Sequence, residues 1–491
     1  MRRAVPAVAG AVLLAGPTAL AFFSGGYFAQ PRLIAGIVAW ALVLALAATG
    51  PAPLPRDRAG QLALAGLVLM TLWSAASVAW APLRAPALAS VERLLLYTGS
   101  LLVAIGALRS PRTAHAVEPA LAAGATLVIG YGLAGRLLPG IFELDRSRSA
   151  GGRLEQPLTY WNAEGALAAL GLVLCARLAG DRSRPGWLRM AAGAALPLLG
   201  AGVYLSYSRG ALAVAVVGLL VLLAWAPSQA QLRAAGVALG SGIAAALVSA
   251  ALPGVASLEG THAERDGLIG LSVLAVLAAI AAVTATRGGG GPLTWSRWLK
   301  PAAGIALAAV LAGLVIGGLG EKPTDTQLAA GADARRLTTA SSYRYEYWRI
   351  GLRAFANHPL QGLGAGGFRV QWLKERDIAE TVRDTHSIEL EMAAELGLVG
   401  LLALGLLIAG VALAGREALR RDAGAAAGAA AATLTWFLHA SIDWDWQMPA
   451  VALPAVVLAG ALISAAGAPT ADPAAPARPA PAAPAPRRNP G

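Results

Sequence analysis

The sequence predicts an all-α protein, a polytopic transmembrane helical bundle of about 12–14 helices with one large extracytoplasmic loop. Of its 491 residues, 57% are hydrophobic and 13% are charged, about half the charged fraction of a soluble chain. Apolar stretches recur that reach the roughly 17–25 residues a helix needs to cross a bilayer. Helices satisfy their own backbone hydrogen bonds in lipid, and the alternating pattern of membrane-spanning strands is absent.

The apolar stretches divide the chain into 14 spans, an even number that leaves both termini on one side of the membrane. Residues 1–22 are interpreted as a retained helix because many similar spans follow and no clear small-residue cleavage site is present. We expect spans at about 4–22, 32–49, 61–80, 91–108, 114–138, 161–179, 190–206, 210–226, 234–252, 267–286, 301–319, 387–414, 424–440 and 449–467.

The basic residues of the loops predict the orientation of these spans. Cytoplasmic loops carry an excess of lysine and arginine. If the N-terminus is cytoplasmic, every second loop faces the cytoplasm, and these are the loops that are basic. This accounts for much of the net charge of +12, so no nucleic-acid partner is predicted. We expect a multi-pass protein of the cytoplasmic (inner) membrane with both termini cytoplasmic. The predicted cytoplasmic loops contain Arg56, Arg58, Arg109, Arg112, Arg182, Arg184, Arg189, Arg233, Arg287, Arg297, Lys300, Arg416, Arg420 and Arg421.

The predicted organisation is one membrane domain over residues 1–467 and a tail over 468–491. The tail is rich in alanine and proline, cannot build a core, and is expected to be disordered in the cytoplasm. Cys175 is the single cysteine, which excludes a disulfide within the chain. No Cys/His cluster has the spacing of metal ligands, so neither a metal nor a cofactor is predicted.

The outer loop, residues 320–386, carries charge that the topology does not explain. Within it, 341–357 is predicted to form an amphipathic helix that lies at the membrane surface, with Tyr343, Tyr347, Ile350 and Phe355 on one side. The GLGAGG that follows is a weak match to a phosphate loop, because no strand precedes it and no Gly-Lys-Ser/Thr follows.

Three arginines and one histidine are predicted at the outer ends of the spans: Arg153, Arg209, Arg344 and His386. A charge at such a depth is costly unless it is paired or functional. Guanidinium groups bind phosphate through paired hydrogen bonds, and histidine accepts a proton near neutral pH. These residues therefore indicate an anionic ligand, such as a lipid-linked pyrophosphate, beside a base. The alternative for each arginine is contact with lipid headgroups, and for the histidine a helix-capping role.

Four further residues are candidates for substrate binding, and each has a structural alternative. Tyr347 and Trp348 suit the faces of sugars or the aromatic belt of the interface. Asn162 opens a helix, and Asp443, on the last outer loop, either contacts substrate or caps a helix. Glu395 lies two turns inside its helix and is expected to face other helices.

Three separated pieces of the sequence form a recognisable series: SYSRG (206–210), Arg344 to Trp348 followed by NHPLQGLGAGGF (357–368), and THSIELEMAAELGLVG (385–400). In these pieces the chain resembles the O-antigen ligase and O-antigen polymerase superfamily over about residues 200–400. No single motif is specific, but the order of the motifs and their spacing around a large outer loop are. Ser387 and the Tyr160-Trp161-Asn162 run depart from the usual pattern, so acceptor contacts can differ here.

The resemblance implies a glycosyltransferase with a GT-C-like fold that uses a glycan on polyprenyl pyrophosphate, without metal or nucleotide-sugar. It implies that Arg209 and Arg344 bind the pyrophosphate and that His386 assists the acceptor hydroxyl. The match at Arg153 is looser, and the resemblance implies only that this residue belongs to the same site. The partners are then the lipid-linked glycan, a glycan or lipid acceptor, and membrane lipids.

Two questions stay open at the level of sequence. Ligase, polymerase and protein O-oligosaccharyltransferase share the donor and differ in the acceptor, which the sequence does not reveal. A membrane transporter of a small anion such as bicarbonate is the alternative from another class. Transporters place substrate groups near the midplane of the membrane, whereas the unexplained charges here are predicted at the outer end.

Overall fold

The computed structural model describes residues 4–50, 52–258, 262–289, 291–293, 296–318, 332 and 343–468. Almost all of the first half of the predicted outer loop and nearly the whole predicted tail lie outside the described residues.

The described residues form helices joined by short connections, with no β-strand among them. Every predicted span coincides with a helix. The all-α, polytopic fold class is thereby confirmed. The helices are α1 (Ala4–Ala21), α2 (Ala29–Thr49), α3 (Arg58–Ser77), α4 (Arg84–Ala107), α5 (Pro111–Leu137), α6 (Trp161–Gly180), α7 (Gly186–Leu205), α8 (Arg209–Trp225), α9 (Gln229–Ala251), α10 (Pro253–Ala256), α11 (Ala263–Thr286), α12 (Leu299–Gly318), α13 (Arg344–Asn357), α14 (Phe368–Glu375), α15 (Ile388–Arg421), α16 (Ala423–Ala440) and α17 (Pro449–Ala466).

Burial separates a central helix from the helices around it. Within the described ranges, 11 helices are long and apolar enough to cross a membrane, and α6 is the one that is buried along its length. The peripheral helices instead expose large apolar side chains, which is expected where lipid is the solvent. Examples are Ile37, Leu72 and Leu247, each more than half exposed.

Glycines bring α3 and α15 into backbone contact. A Cβ on Gly66 would lie 2.5 Å from the amide nitrogen of Leu407, and one on Gly410 would lie 2.3 Å from that of Ala63. Without Cβ atoms the two helices approach closely, which is how small residues stabilise helix pairs in membranes. This contact anchors α15, the helix that begins directly after His386 and Ser387.

The GLGAGG segment covers a break in α15 and is not built as a phosphate loop. Gly397 has φ 65° and ψ −153°, so the helix changes direction there and nearby carbonyls lose their helical partners. The segment supplies donors: Leu363 N–H reaches the Ala394 carbonyl at 2.9 Å, and Gly364 N–H reaches that of Glu395 at 2.8 Å.

The side chain of Glu395 completes this connection. Its carboxylate accepts from the backbone N–H groups of Gly366 at 2.6 Å and Phe368 at 3.1 Å. The sequence placed Glu395 against other helices, whereas the structure places it against the glycine segment. Glu395 and the segment together fix the angle between the two halves of α15.

The apolar side of α13 is covered by protein, which corrects the prediction of a helix lying on lipid with this face. Tyr347 and Ile350 are buried against Phe368, Trp372 and Val382. The exposed residues of α13 include Leu352 on the other side. The helix begins at Arg344, so its first residue and its apolar face both point toward the segment that carries His386.

Candidate active site

Arg344, the first residue of α13, forms an ion pair with Asp443 in the connection between α16 and α17. The Asp443 side chain is 1% exposed and that of Arg344 is 23% exposed. The same carboxylate accepts hydrogen bonds of 2.7 Å from the Tyr160 hydroxyl and 2.7 Å from the Asn162 amide. Three predicted site residues, Arg344, Asn162 and Asp443, are therefore in one hydrogen-bonded group.

The charges of this group stabilise one another. Burial alone would raise the pKa of Asp443, but Arg344 and two nearby histidines outweigh it, so the pKa is lowered and the carboxylate is ionised. The pKa of Arg344 is raised despite burial, because Asp443 favours its charged form. Both ionic groups thus keep their charge inside a largely water-excluded site.

His386 lies beside this group, between two carboxylates. Its Nδ1 is 3.1 Å from the Asp384 carboxylate, and its side chain is 16% exposed. Burial would lower the pKa of His386, but Asp384 and then Asp443 outweigh burial, so the pKa is raised. The residue has φ 54°, a left-handed conformation that few non-glycine residues adopt and that turns the chain into α15.

Arg209 is brought to the same place by the start of α8. Ser208 caps this helix by accepting from the Ala211 N–H at 3.2 Å, which fixes Arg209 as the first helical residue. Arg209 and Arg344 both act on the Tyr345 phenol: burial raises its pKa, and the two arginines only partly offset this effect. The predicted pair Arg209 and Arg344 therefore lies near one phenol.

Arg153 is close by but is held by its own segment. Its guanidinium stacks 3.5 Å from the centre of the Trp161 ring and donates hydrogen bonds of 2.6 Å to the carbonyls of Ser149 and Ala150. Trp161 in turn packs against Tyr160, whose hydroxyl binds Asp443. Arg153 is thus connected to the Arg344–Asp443 pair indirectly, through Trp161 and Tyr160.

Tyr347 and Trp348 lie on different sides of α13. Tyr347 is buried, donates a 2.5 Å hydrogen bond to Glu380, and places its ring 5.0 Å from the ring of His386. Trp348 packs edge-on against Tyr345, and its indole N–H has no hydrogen-bond partner in the part of the chain that the structure describes. Tyr347 therefore supports His386, whereas the indole N–H of Trp348 is buried without an acceptor among the described residues.

Sequence reasoning missed the residues that link the start of α15, next to His386, to the connection between α16 and α17. Glu389 accepts from the Ser441 hydroxyl at 2.7 Å, and Glu391 accepts from the Trp446 indole at 3.0 Å and from the Gln447 amide at 2.9 Å. Carboxylates near a helix N-terminus are favoured by the helix dipole alone, so their presence in the sequence does not indicate these contacts.

A second histidine and carboxylate are buried next to the site and were also missed. His439 Nδ1 lies 3.0 Å from the Asp445 carboxylate, and both side chains are at most 1% exposed. The ring of His439 contacts Gly210, the residue after Arg209. Across the described residues, no group of three or more His, Cys, Asp or Glu side chains could hold a metal ion.

A model of the O-antigen ligase family matches residues 192–405. This match, over somewhat less than half of the chain, supports the resemblance to the O-antigen ligase superfamily. The matched segment contains Arg209, Arg344 and His386, whereas the residues of the 153–162 segment and Asp443 lie outside it. No curated protein matches the chain.

The matched family indicates a class of activity. At that level, the match and the apolar helices support a multi-pass membrane glycosyltransferase of the O-antigen ligase or polymerase type. The part of the site inside the matched segment supplies two cations and a histidine, and the part outside it supplies the carboxylate that holds one of those cations.

Proposed function

We propose that the protein transfers a glycan from a polyprenyl-pyrophosphate carrier to an acceptor hydroxyl, without metal, at the outer face of the cytoplasmic membrane. The observation that carries this proposal is the grouping of Arg344 and Asp443 with His386 and Asp384 at the start of α13 and α15. It places fixed positive charge and a proton acceptor within one partly buried site.

In this proposal the arginines bind the pyrophosphate. Arg344 is held by Asp443, so its orientation is set before the donor arrives, and a preorganised cation stabilises developing negative charge at little cost in reorganisation. Arg209, at the start of α8, acts on the same Tyr345 phenol as Arg344. Two guanidinium groups near one site can bind the two phosphates of a pyrophosphate through paired hydrogen bonds.

His386 is the proposed general base. It takes the proton of the acceptor hydroxyl as that oxygen forms a bond to the anomeric carbon of the donor glycan. The bond between that carbon and the pyrophosphate oxygen breaks, and its electron pair leaves with the polyprenyl pyrophosphate, next to the arginines. Asp384 stabilises the histidine once it is protonated.

The other predicted residues have supporting roles in this scheme. Trp348, which is half-buried beside Tyr345, is proposed to bind a sugar ring through its aromatic face. Tyr347 orients His386 by ring contact. Asn162 and Arg153 shape the 153–162 segment, with Asn162 bonded to Asp443 and Arg153 stacked on Trp161.

The proposal is tested by complementing a deletion strain with Arg209→Ala, Arg344→Ala or His386→Ala and by analysing its surface polysaccharide. We expect each variant to insert into the membrane and to lose surface glycan. Matched controls are Arg353→Ala and His358→Ala, both exposed and on or beside α13, which should assemble glycan normally. Wild-type glycan from all three site variants would overturn the proposed site.

The lipid-linked products of the deletion strain identify the acceptor class. Full-length glycan that accumulates on its carrier indicates a ligase, and single repeats indicate a polymerase. If neither product accumulates and surface glycan is unchanged, the polyprenyl-linked donor is wrong, and anion transport becomes the function to test.

A further inference from the structure

A large apolar groove runs through the bundle beside α15 and extends from below the residues proposed to react to the far end of that helix. It has a volume of about 600 Å³, within the roughly 300–1,000 Å³ typical of ligand sites. Helices α15, α16 and α17 form its walls, with α3 and α4 at the side. At one end it reaches Ile388 and Trp446, beneath the candidate active site, and at the other it reaches Ala423.

The two ends of this groove differ in charge. At the Ala423 end it is lined by Lys300, Arg416 and Arg420, which come from the start of α12 and the last turns of α15. All three side chains are exposed. The neighbouring Glu417 pairs with Arg421 at 2.9 Å and also attracts Arg416 and Arg420, so the cations at this end outnumber it and the end stays basic.

We propose that this groove binds an anionic phospholipid. The lipid comes from the leaflet beside the basic end of the groove and places its phosphate at Lys300, Arg416 and Arg420 and an acyl chain along α15. The charge pattern supports this occupant, because basic pockets between membrane helices bind anionic headgroups. The apolar walls between the basic end and Ile388 match an acyl chain. This site is separate from glycan transfer and does not depend on it.

The tail of a polyprenyl donor is the competing occupant. The two lipids differ in the end of the groove at which each would place its phosphate. A donor held at Arg344 has its phosphates at the Ile388 end, so its tail would leave three cations at the other end without an anion. A phospholipid places its phosphate at those cations. Phospholipid binding would also brace α15, the helix on which the His386 segment is mounted.

The test measures lipid selectivity of the full chain in bilayers of equal parts phosphatidylcholine and phosphatidylglycerol, with spin-labelled versions of each lipid as probes. The wild-type protein should associate preferentially with phosphatidylglycerol. Each basic residue near an anionic headgroup contributes about fivefold to association. The variant Lys300→Gln/Arg416→Gln/Arg420→Gln should therefore lose most of the preference.

Two matched controls make this result specific to the groove. The variant Arg58→Gln/Arg112→Gln/Arg287→Gln removes the same charge from exposed positions outside the groove and should keep the preference. Ala412→Trp fills the groove from its exposed wall and should reduce phosphatidylglycerol association, whereas Leu413→Trp, one residue further along α15 and outside the lining, should not.

Three outcomes would overturn the proposal. The first is a wild-type protein with no preference for phosphatidylglycerol. The second is an equal loss of preference in both triple variants, which would reduce the effect to general surface charge. The third comes from mass spectrometry of lipids that copurify with the protein: a polyprenyl pyrophosphate retained by the wild type and lost from Ala412→Trp would assign the groove to the donor tail.

Discussion

Arg344 and Asp443 are 99 residues apart in the chain and form an ion pair in which the carboxylate is almost fully buried. The pair connects the start of α13 to the connection between α16 and α17, and the Tyr160 hydroxyl adds the start of α6 to the same carboxylate. Three separate parts of the sequence are therefore fixed to one another by one acidic side chain. The stability of the site and its charge depend on the same contact.

Arg344→Ala is expected to destabilise the protein by about 3 kcal/mol, because it leaves a buried carboxylate without its partner. Adding Asp443→Asn removes that charge while keeping an acceptor for Tyr160, so the double variant should recover most of the lost stability. Neither variant should assemble surface glycan. Thermal unfolding of the purified proteins measures the recovery, and a double variant as unstable as Arg344→Ala would show that the ion pair does not hold the site together.

Transfer activity should fall as the pH is lowered through the pKa of His386, because a general base must be unprotonated to act. Burial opposes the charged form of His386, but Asp384 and Asp443 raise its pKa above the ordinary value, so this loss should begin at a higher pH than for a free histidine. Asp384→Asn removes the nearest carboxylate and should move the acidic limb of the pH profile to lower pH.

The pH profile is measured on purified protein with a lipid-linked glycan donor. Asp377→Asn is the matched control, because this carboxylate is 60% exposed and pairs with Arg349 at the surface. Its profile should follow that of the wild type. If activity of Asp384→Asn falls at the same acidic pH as that of the wild type, a group other than His386 controls the rate.

Gly397→Ala should destabilise the protein by about 2 kcal/mol and reduce transfer, because its positive φ is unfavourable for alanine. The added Cβ would also lie 2.4 Å from the Leu360 carbonyl of the glycine segment. Gly405→Ala, in the same helix, meets nothing within 4 Å and should be neutral or slightly stabilising. Equal thermal stability of the two variants would contradict the role assigned to the break in α15.

The positions of the helices followed from the sequence, because the thickness of a bilayer limits the length of an apolar helix. The expected span at 161–179 is observed as Trp161–Gly180, and that at 424–440 as Ala423–Ala440. Lipid also removes the competing choices of secondary structure, so apolar length alone predicts a helix.

The contacts between helices did not follow from the sequence. Asp443 was a candidate, but its partner Arg344 lies on a different element, and no local pattern records such a pairing. The amphipathic pattern of α13 was detected, yet a pattern does not distinguish lipid from protein as the covering, and Phe368 and Trp372 cover it. The GLGAGG segment was rejected as a phosphate loop, but its target, the break at Gly397, appears only in three dimensions.

The proposed orientation of the protein can be tested through its single cysteine. Cys175 is 2% exposed on the central helix α6, so it should not react with a membrane-impermeant maleimide in intact cells. In a Cys175→Ala background, Leu360→Cys places a thiol at an exposed position of the predicted outer loop, and Arg421→Cys places one at the end of α15. Intact cells should label position 360, and position 421 should become reactive only after lysis. The reverse pattern would place His386 and both arginines on the cytoplasmic side, where an acceptor at the outer face could not reach them.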